Sequence, residues 1–236
     1  MHKIEIPVHA LERIQQRRGR FHQFDTLDPK RTAHLVVDLQ NGFMAEGQVG
    51  ECPVAREIVP NVNRISRALR TAGGLVVYIQ NTIDETALRD WSNYFDFFST
   101  PDRQTRMREA FTPGSYGHQI WDKLEVLPQD LKVLKRRFGA FVPGSSNLHE
   151  ILQARGIDTV IVTGTVTNVC CESTARDAMM MNYKVAFISD GCATFNDAEH
   201  NATLDIMAYA YADVMSTDEV VALLQASRTQ TRQAAE

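Results

Sequence analysis

The sequence predicts a three-layer α/β domain, a doubly wound parallel sheet with helices on both faces. Three observations carry this. Runs such as L-V-V-Y-I (75 to 79) and T-V-I-V-T (159 to 163) are apolar or β-branched at every position, as strands covered on both faces must be. Between such runs, apolar residues recur at helical spacing, for example Ile58, Val62, Ile65 and Leu69. Parallel neighbours joined by helices cross over right-handed, which leaves the doubly wound arrangement.

The elements follow in order. Residues 1 to about 30 are polar and charged, with weak helical periodicity around Leu11 to Ile14. They read as an N-terminal arm packed on the domain or on a neighbouring subunit. The first strand covers Ala33 to Leu39. A helix covers Val54 to Ala72 and stops at Gly73 and Gly74. Strand Leu75 to Gln80 follows. Residues 81 to 130 have no regular period and carry Trp91, Tyr94, Phe95, Phe97, Phe98, Phe111, Tyr116 and Trp121. Regularity resumes with a strand at Leu131 to Lys135 and a helix at Asn147 to Arg155. A strand at Thr159 to Thr163, a helix at Asn168 to Asn182 and a strand at Val185 to Ser189 come next. Helix Asp197 to Tyr211, a short strand Ala212 to Met215 and a closing helix Thr217 to Gln225 complete the set. The domain spans 31 to 227, and the tail, 228 to 236, is expected to fray.

A chain of 236 residues without a Pro-, Gly- or Ser-rich divide fits one domain. The net charge is −4, and no basic run exceeds the segment Arg17, Arg18, Arg20, so nucleic acid has no electrostatic footprint. No apolar stretch approaches the ~20 residues that span a bilayer. The start M-H-K-I-E-I-P lacks the apolar core of a signal peptide. The expectation is a soluble, cytoplasmic chain with neither membrane nor nucleic-acid partners. Cys52, Cys170, Cys171 and Cys192 form no C-x-x-C pair and have no matching His cluster, which argues against a disulfide framework and a zinc site.

Reactive residues stand at strand ends, where sites in such sheets form. Asp38 ends the first strand and Lys135 the third. The fourth runs into G-T-V-T-N-V-C-C-E-S-T-A-R-D-A (164 to 178), which puts Cys170 near a helix N-terminus. The partial positive charge there favours a thiolate. Thr167 or Asn168 is placed to cap that helix. Gly164 marks a tight turn with close backbone approach, and backbone N–H groups nearby are candidate oxyanion donors. A thiol nucleophile, a carboxylate to move its proton and an ammonium to balance charge make an acyl-transfer set, provided they meet within about 3 Å. Plainer readings exist: Cys170 as a small buried residue, Asp38 as a turn cap, Lys135 with Arg136 and Arg137 as a solvated cluster. Cys52, Cys171 and Cys192 read as core packing. His118, His149 and His200 read as surface or supporting histidines.

At these residues the chain resembles the isochorismatase-like cysteine hydrolases. The resemblance runs from about Thr32 to the last helix. It rests on D-L-Q-N-G-F (38 to 43), L-K-R-R-F-G-A-F-V-P-G-S-S-N-L (134 to 148) and T-G-T-V-T-N-V-C-C-E-S-T-A-R-D-A (163 to 178). It implies a six-stranded parallel sheet, a triad of Asp38, Lys135 and Cys170, and a homo-oligomer, dimer or tetramer. It also implies a non-proline cis peptide at Thr165–Val166 that aims the N–H of Val166, with that of Cys170, at an oxyanion. Isochorismatases proper lack the nucleophilic cysteine, so Cys170 favours C–N hydrolysis. Nicotinamidases, which the chain also resembles, carry metal-binding histidines, one in a D-W-H-type segment after the second strand. Here that segment is Y-I-Q-N-T-I-D (78 to 84), so no metal or other cofactor is expected. The string T-N-V-C-x-E-S-T-x-R-D looks closest to ureidoacrylate amidohydrolases.

The expected activity is hydrolysis of a C–N bond in a small amide or ureido compound through a thioester, releasing ammonia or an amine. Gln40, Asn41 and Gln80 are expected to orient substrate or water. Phe43, Trp91 and Tyr94 are expected to wall the pocket. Arg103 and Arg106 either meet a substrate carboxylate or are merely exposed. Two other readings stand beside this one: a vinyl-ether hydrolase of the same fold, and an idle copy serving as an interaction module.

Overall fold

Six runs of β-branched and aliphatic residues form strands: β1 (Thr32–Val37), β2 (Leu75–Asn81), β3 (Leu131–Lys135), β4 (Thr159–Thr165), β5 (Lys184–Ala193) and β6 (Asp213–Met215). All pairings are parallel, in the order β3-β2-β1-β4-β5-β6. The structure, a computed structural model, describes residues 1–233, with side chains to Ser227. The chain winds outward from β1 in one direction and from β4 in the other. The crevice between their carboxyl ends is the switch point where such folds bind ligands.

The helices are α1 (Val8–Arg18), α2 (Asn41–Met44), α3 (Val59–Thr71), α4 (Glu85–Asp90), α5 (Ser92–Phe97), α6 (Pro101–Phe111), α7 (Leu148–Ala154), α8 (Glu172–Met180), α9 (Asp197–Ile206) and α10 (Thr217–Gln233). Side chains alternate across a strand, so β1 sends Ala33, Leu35 and Val37 to one face, where they meet α1, α7, α8 and α9. Ile161, Ala186 and Ile188 face the other way, onto Ile65 and Leu69 of α3 and Val220 and Leu224 of α10. Each such buried aliphatic contributes about 1.5–3 kcal/mol.

Register lines up the carboxyl rim. Val37 pairs with Gly164 and Asn81 with Lys135, so Asp38, Lys135 and the end of β4 share one edge. The close approach expected at Gly164 is real, but it lies inside β4 rather than in a turn. A Cβ there would sit 2.0 Å from the Val37 carbonyl oxygen, and φ is 129°. Only glycine lets β1 and β4 meet at this point.

Several boundaries differ from the sequence expectation. The helix expected from Val54 is broken: Pro53–Arg56 is a 3-10 turn, and α3 starts afresh at Val59, with Pro60 in its first turn. Residues 81 to 130 are not irregular throughout, since α4, α5 and α6 lie there. Asp84 caps α4 by accepting from the Ala87 N–H, and Thr100 caps α6 by accepting from Arg103. The helix expected from Asn168 opens as a π turn, Thr167–Cys171. Helix α10 extends to Gln233, past the expected end at Gln225, and 234–236 of the expected frayed tail lie outside the described residues. The N-terminal arm packs on its own domain: Ile14 joins the core, and Arg13 and Arg17 lie over the Tyr209 ring at 4.3 and 4.6 Å. No described helix is long and apolar enough to cross a membrane.

Candidate active site

Asp38 follows β1 directly, and its backbone leaves the strand in the left-handed region, with φ 55°. Aspartate tolerates this better than most side chains, and the turn is fixed by Asp38 N–H donating to the Ile79 carbonyl at 2.9 Å. Lys135 closes β3, two strand spacings or about 10 Å away. Its four-carbon stem spans that gap, which a short side chain cannot. Cys170 comes from the π turn after β4, where the Thr165–Val166 peptide is cis.

These three side chains meet. Lys135 Nζ lies 2.8 Å from Asp38 Oδ2, 3.4 Å from Cys170 Sγ and 3.1 Å from the Arg137 carbonyl oxygen. The ammonium donates to the Arg137 carbonyl and to the sulfur, and its contact with Asp38 is an ion pair. Asp38 and Lys135 are wholly buried and Cys170 is 5 % exposed. Neither Asp38 oxygen receives a well-aligned hydrogen bond, although one is in ion-pair contact with Lys135 and the thiol borders the carboxylate. The carboxylate thus retains capacity for a proton.

Burial lifts the Asp38 carboxyl above its usual range, against the pull of Lys135. Burial works to lower the Lys135 pKa, but Asp38 and Cys170 outweigh it and hold the ammonium charged. Burial pushes the Cys170 thiol up to about 12, with Lys135 opposing only in part. The resting sulfur is therefore a neutral thiol. The thiolate expected from the helix N-terminus is disfavoured, because desolvation outweighs the pull of Lys135 and the neighbouring Asp38 carboxylate adds to it. Thr167 and Asn168 do not cap that helix. Thr167 Oγ1 is bound to His200 Nδ1 at 3.0 Å, and Asn168 Oδ1 accepts from Thr194 Oγ1 at 2.8 Å.

An aromatic cap stands beside the site, with Tyr94 near Cys170. Trp91 and Tyr94 stack at 4.3 Å, and Phe138 meets both edge-on at 4.8 and 5.3 Å. With Asn81, Thr82, Ile83 and Arg136 they enclose a cavity of about 20 Å³, room for roughly one water. Neither Phe138 nor Arg136 stands out as a cap residue in the sequence, although both lie in the motif around Lys135.

A model of the isochorismatase domain matches residues 32–219. The chain belongs to the isochorismatase family. It is 30% identical to the ureidoacrylate amidohydrolase RutB of Agrobacterium fabrum, over 70% of this chain and 77% of that protein. It is 32% identical to a protein of Arabidopsis thaliana named a probable inactive nicotinamidase, over 74% and 87%. A cysteine hydrolase from Pseudomonas syringae pv. phaseolicola superposes with a TM-score of 0.79 at 26% identity, covering 88% of this chain and 98% of that one.

The remaining candidate residues of this isochorismatase-family chain divide by what they touch. Gln40 donates to the carbonyls of Asn81 and His118 and accepts from Asn81 N–H, so its amide is committed to the main chain. Gln80 donates to the His118 carbonyl at 2.7 Å. Both pin the 112–126 loop beneath the rim. Asn41 does the same by donating to the Tyr116 carbonyl. Phe43 packs against Phe111 at 4.5 Å, under the cap and not at its cavity. Arg103 and Arg106 are exposed. His118 and His200 are buried, not superficial. Cys52, Cys171 and Cys192 are buried free thiols. Among the described residues no three His, Cys, Asp or Glu side chains group as metal ligands.

Lys135 with Arg136 and Arg137 is not a solvated cluster. Arg136 pairs with Asp84 at 2.7 Å, and Arg137 donates to the Asp90 carbonyl at 2.8 Å. Two consecutive arginines thus grip both ends of α4, on the wall of the site.

Proposed function

We propose that this isochorismatase-family protein hydrolyses a C–N bond in a small amide or ureido compound through a thioester on Cys170. The observation that carries the reading is the contact of one ammonium with both a carboxylate and a thiol in a buried site. Asp38 takes the thiol proton as Cys170 Sγ bonds to the carbonyl carbon. The charge that develops on the carbonyl oxygen meets the N–H groups of Val166 and Cys170. The intermediate collapses, its C–N bond breaks, and Asp38 returns the proton to the departing nitrogen as ammonia or an amine. Water then enters, gives a proton to Asp38 and attacks the thioester. The acid leaves, and the proton on Asp38 restores the thiol. Lys135 stays charged throughout and steadies the carboxylate and the sulfur. A base whose affinity for protons is raised by burial suits this exchange. The similarity to an amidohydrolase of ureido acids supports C–N chemistry. Trp91, Tyr94 and Phe138 form the substrate wall in this reading, and Gln40, Asn41, Gln80 and Phe43 support it from behind.

The test is release of ammonia or amine from a panel of small amides and ureido acids, by wild type and Cys170→Ala in parallel. Release lost in the variant supports the thioester route. Activity of Cys170→Ala equal to wild type on a vinyl ether would replace it with the isochorismatase-type reaction. Silence of the wild type on every member, with no adduct on Cys170, would favour an idle copy.

A further inference from the structure

The first residues of the arm pack on α9 and on the end of β5 at Thr194. The His2 side chain is only 3% exposed, and its ring stacks on that of His200 at 4.3 Å and 20°. Its hydrogen bonds fix its tautomer. The Thr194 N–H can only donate, so His2 Nε2 accepts it at 3.0 Å, and Nδ1–H donates to Asp197 Oδ1 at 2.8 Å. His200 is fixed likewise. The Ser189 carbonyl can only accept, so His200 Nε2–H donates to it at 2.9 Å, and Nδ1 accepts from Thr167 Oγ1.

Two lines run from His2 to the turn. One passes through the stacked His200 to the Thr167 hydroxyl. The other passes through Thr194, whose hydroxyl donates to Asn168 Oδ1. Thr167 and Asn168 open the turn after Val166, and only Val169 separates them from Cys170. The strap is held along its length. Asn201 of α9 donates to the Lys3 carbonyl and accepts from the Glu5 N–H, both at 2.9 Å. None of these groups touches the reacting atoms.

We infer that His2 is a positioning residue: through His200 and Thr194 it holds Thr167 and Asn168, and with them the turn that aims Cys170 at its substrate. The inference rests on Cys170 being the nucleophile. A displaced nucleophile loses rate without losing affinity, since small misplacement is costly to chemistry alone.

The experiment pairs amide hydrogen exchange with kinetics for His2→Ala, His2→Gln and, as a control on the exposed face of α1, His9→Ala. In His2→Ala, exchange across 166–171 should rise by about tenfold while β1 and β4 keep their protection, and kcat should fall about tenfold at unchanged KM. His2→Gln retains an acceptor for the Thr194 N–H and should restore most of both. Unchanged exchange in the turn overturns the inference. So does a uniform rise across the sheet, which marks general loosening, and so does faster turn exchange at unchanged kcat. Exchange needs no turnover. If wild type cleaves no amide, the proposed function fails while the exchange result still decides whether His2 holds the turn.

Discussion

Lys135 Nζ and Asp38 Oδ2 stand 2.8 Å apart with both side chains wholly removed from solvent. Such a pair is stable only as a pair, because either charge alone in the interior lacks compensation. Asp38→Asn or Lys135→Met alone should cost about 3–5 kcal/mol in urea unfolding. The double variant should regain much of that loss, because no charge is then left stranded, yet remain inactive. Single variants as stable as wild type would mean that water reaches the pair and the burial argument fails.

The same desolvation sets the behaviour of the sulfur. With its pKa pushed up to about 12, Cys170 is a neutral thiol at physiological pH. Without substrate, its alkylation by iodoacetamide should be slower than that of an ordinary thiol at pH 7. The rate should climb with pH, roughly tenfold per unit, without a plateau below about pH 10. Peptide mapping separates Cys170 from the other three cysteines. A plateau near neutrality would show a preformed thiolate and refute this account.

Strands and strand-end residues are legible in the sequence because a strand buried on both faces must be apolar throughout, and Asp38, Lys135 and Cys170 interrupt or end such runs. The cap is not legible for a physical reason. Helices α4, α5 and α6 turn Leu88, Phe95, Met107 and Phe111 toward a small local cluster rather than the sheet, while Phe97 and Phe98 stay exposed. Their apolar residues therefore keep no clean period. Gln40 and Gln80 read from the sequence as substrate contacts, being polar and beside the site. Their amides serve the main chain around His118 instead, a backbone demand that only coordinates reveal.

Two histidines tie stability to acid. His34 is wholly buried between Ser66 and Thr163, and its pKa is lowered from 6.5 to about 3. His200 is lowered from 6.5 to about 4. Burial is the main cause in both. The unfolded chain takes up protons below pH 6.5 that the folded protein refuses, so the stability is fully present above that pH and is lost as pH falls toward about 4. Each histidine adds up to about 1.4 kcal/mol per pH unit in that window. Urea unfolding from pH 7 to 4 should show the decline, and His34→Gln should flatten it. A stability curve level across this range would remove both histidines from the explanation.

In the proposed reading the cap moves to admit a substrate, since the cavity it lines holds only about 20 Å³. What resists that motion is the grip on α4. Arg136 pairs with Asp84, and Asp84 also caps the helix by accepting the Ala87 N–H at 2.9 Å. Releasing Asp84 from Arg136 frees the helix end nearest the site. The pair is partly exposed, so Arg136→Gln should cost about 1 kcal/mol or less in global stability. Amide exchange over 84–98 should nevertheless accelerate while β2 and β3 remain protected. Substrate held under a looser cap is bound less well, so KM should rise. Unchanged exchange over α4 and α5, or an unchanged KM, would place the gate elsewhere, with the 112–126 loop at Gln40 and Gln80 as the next segment to test.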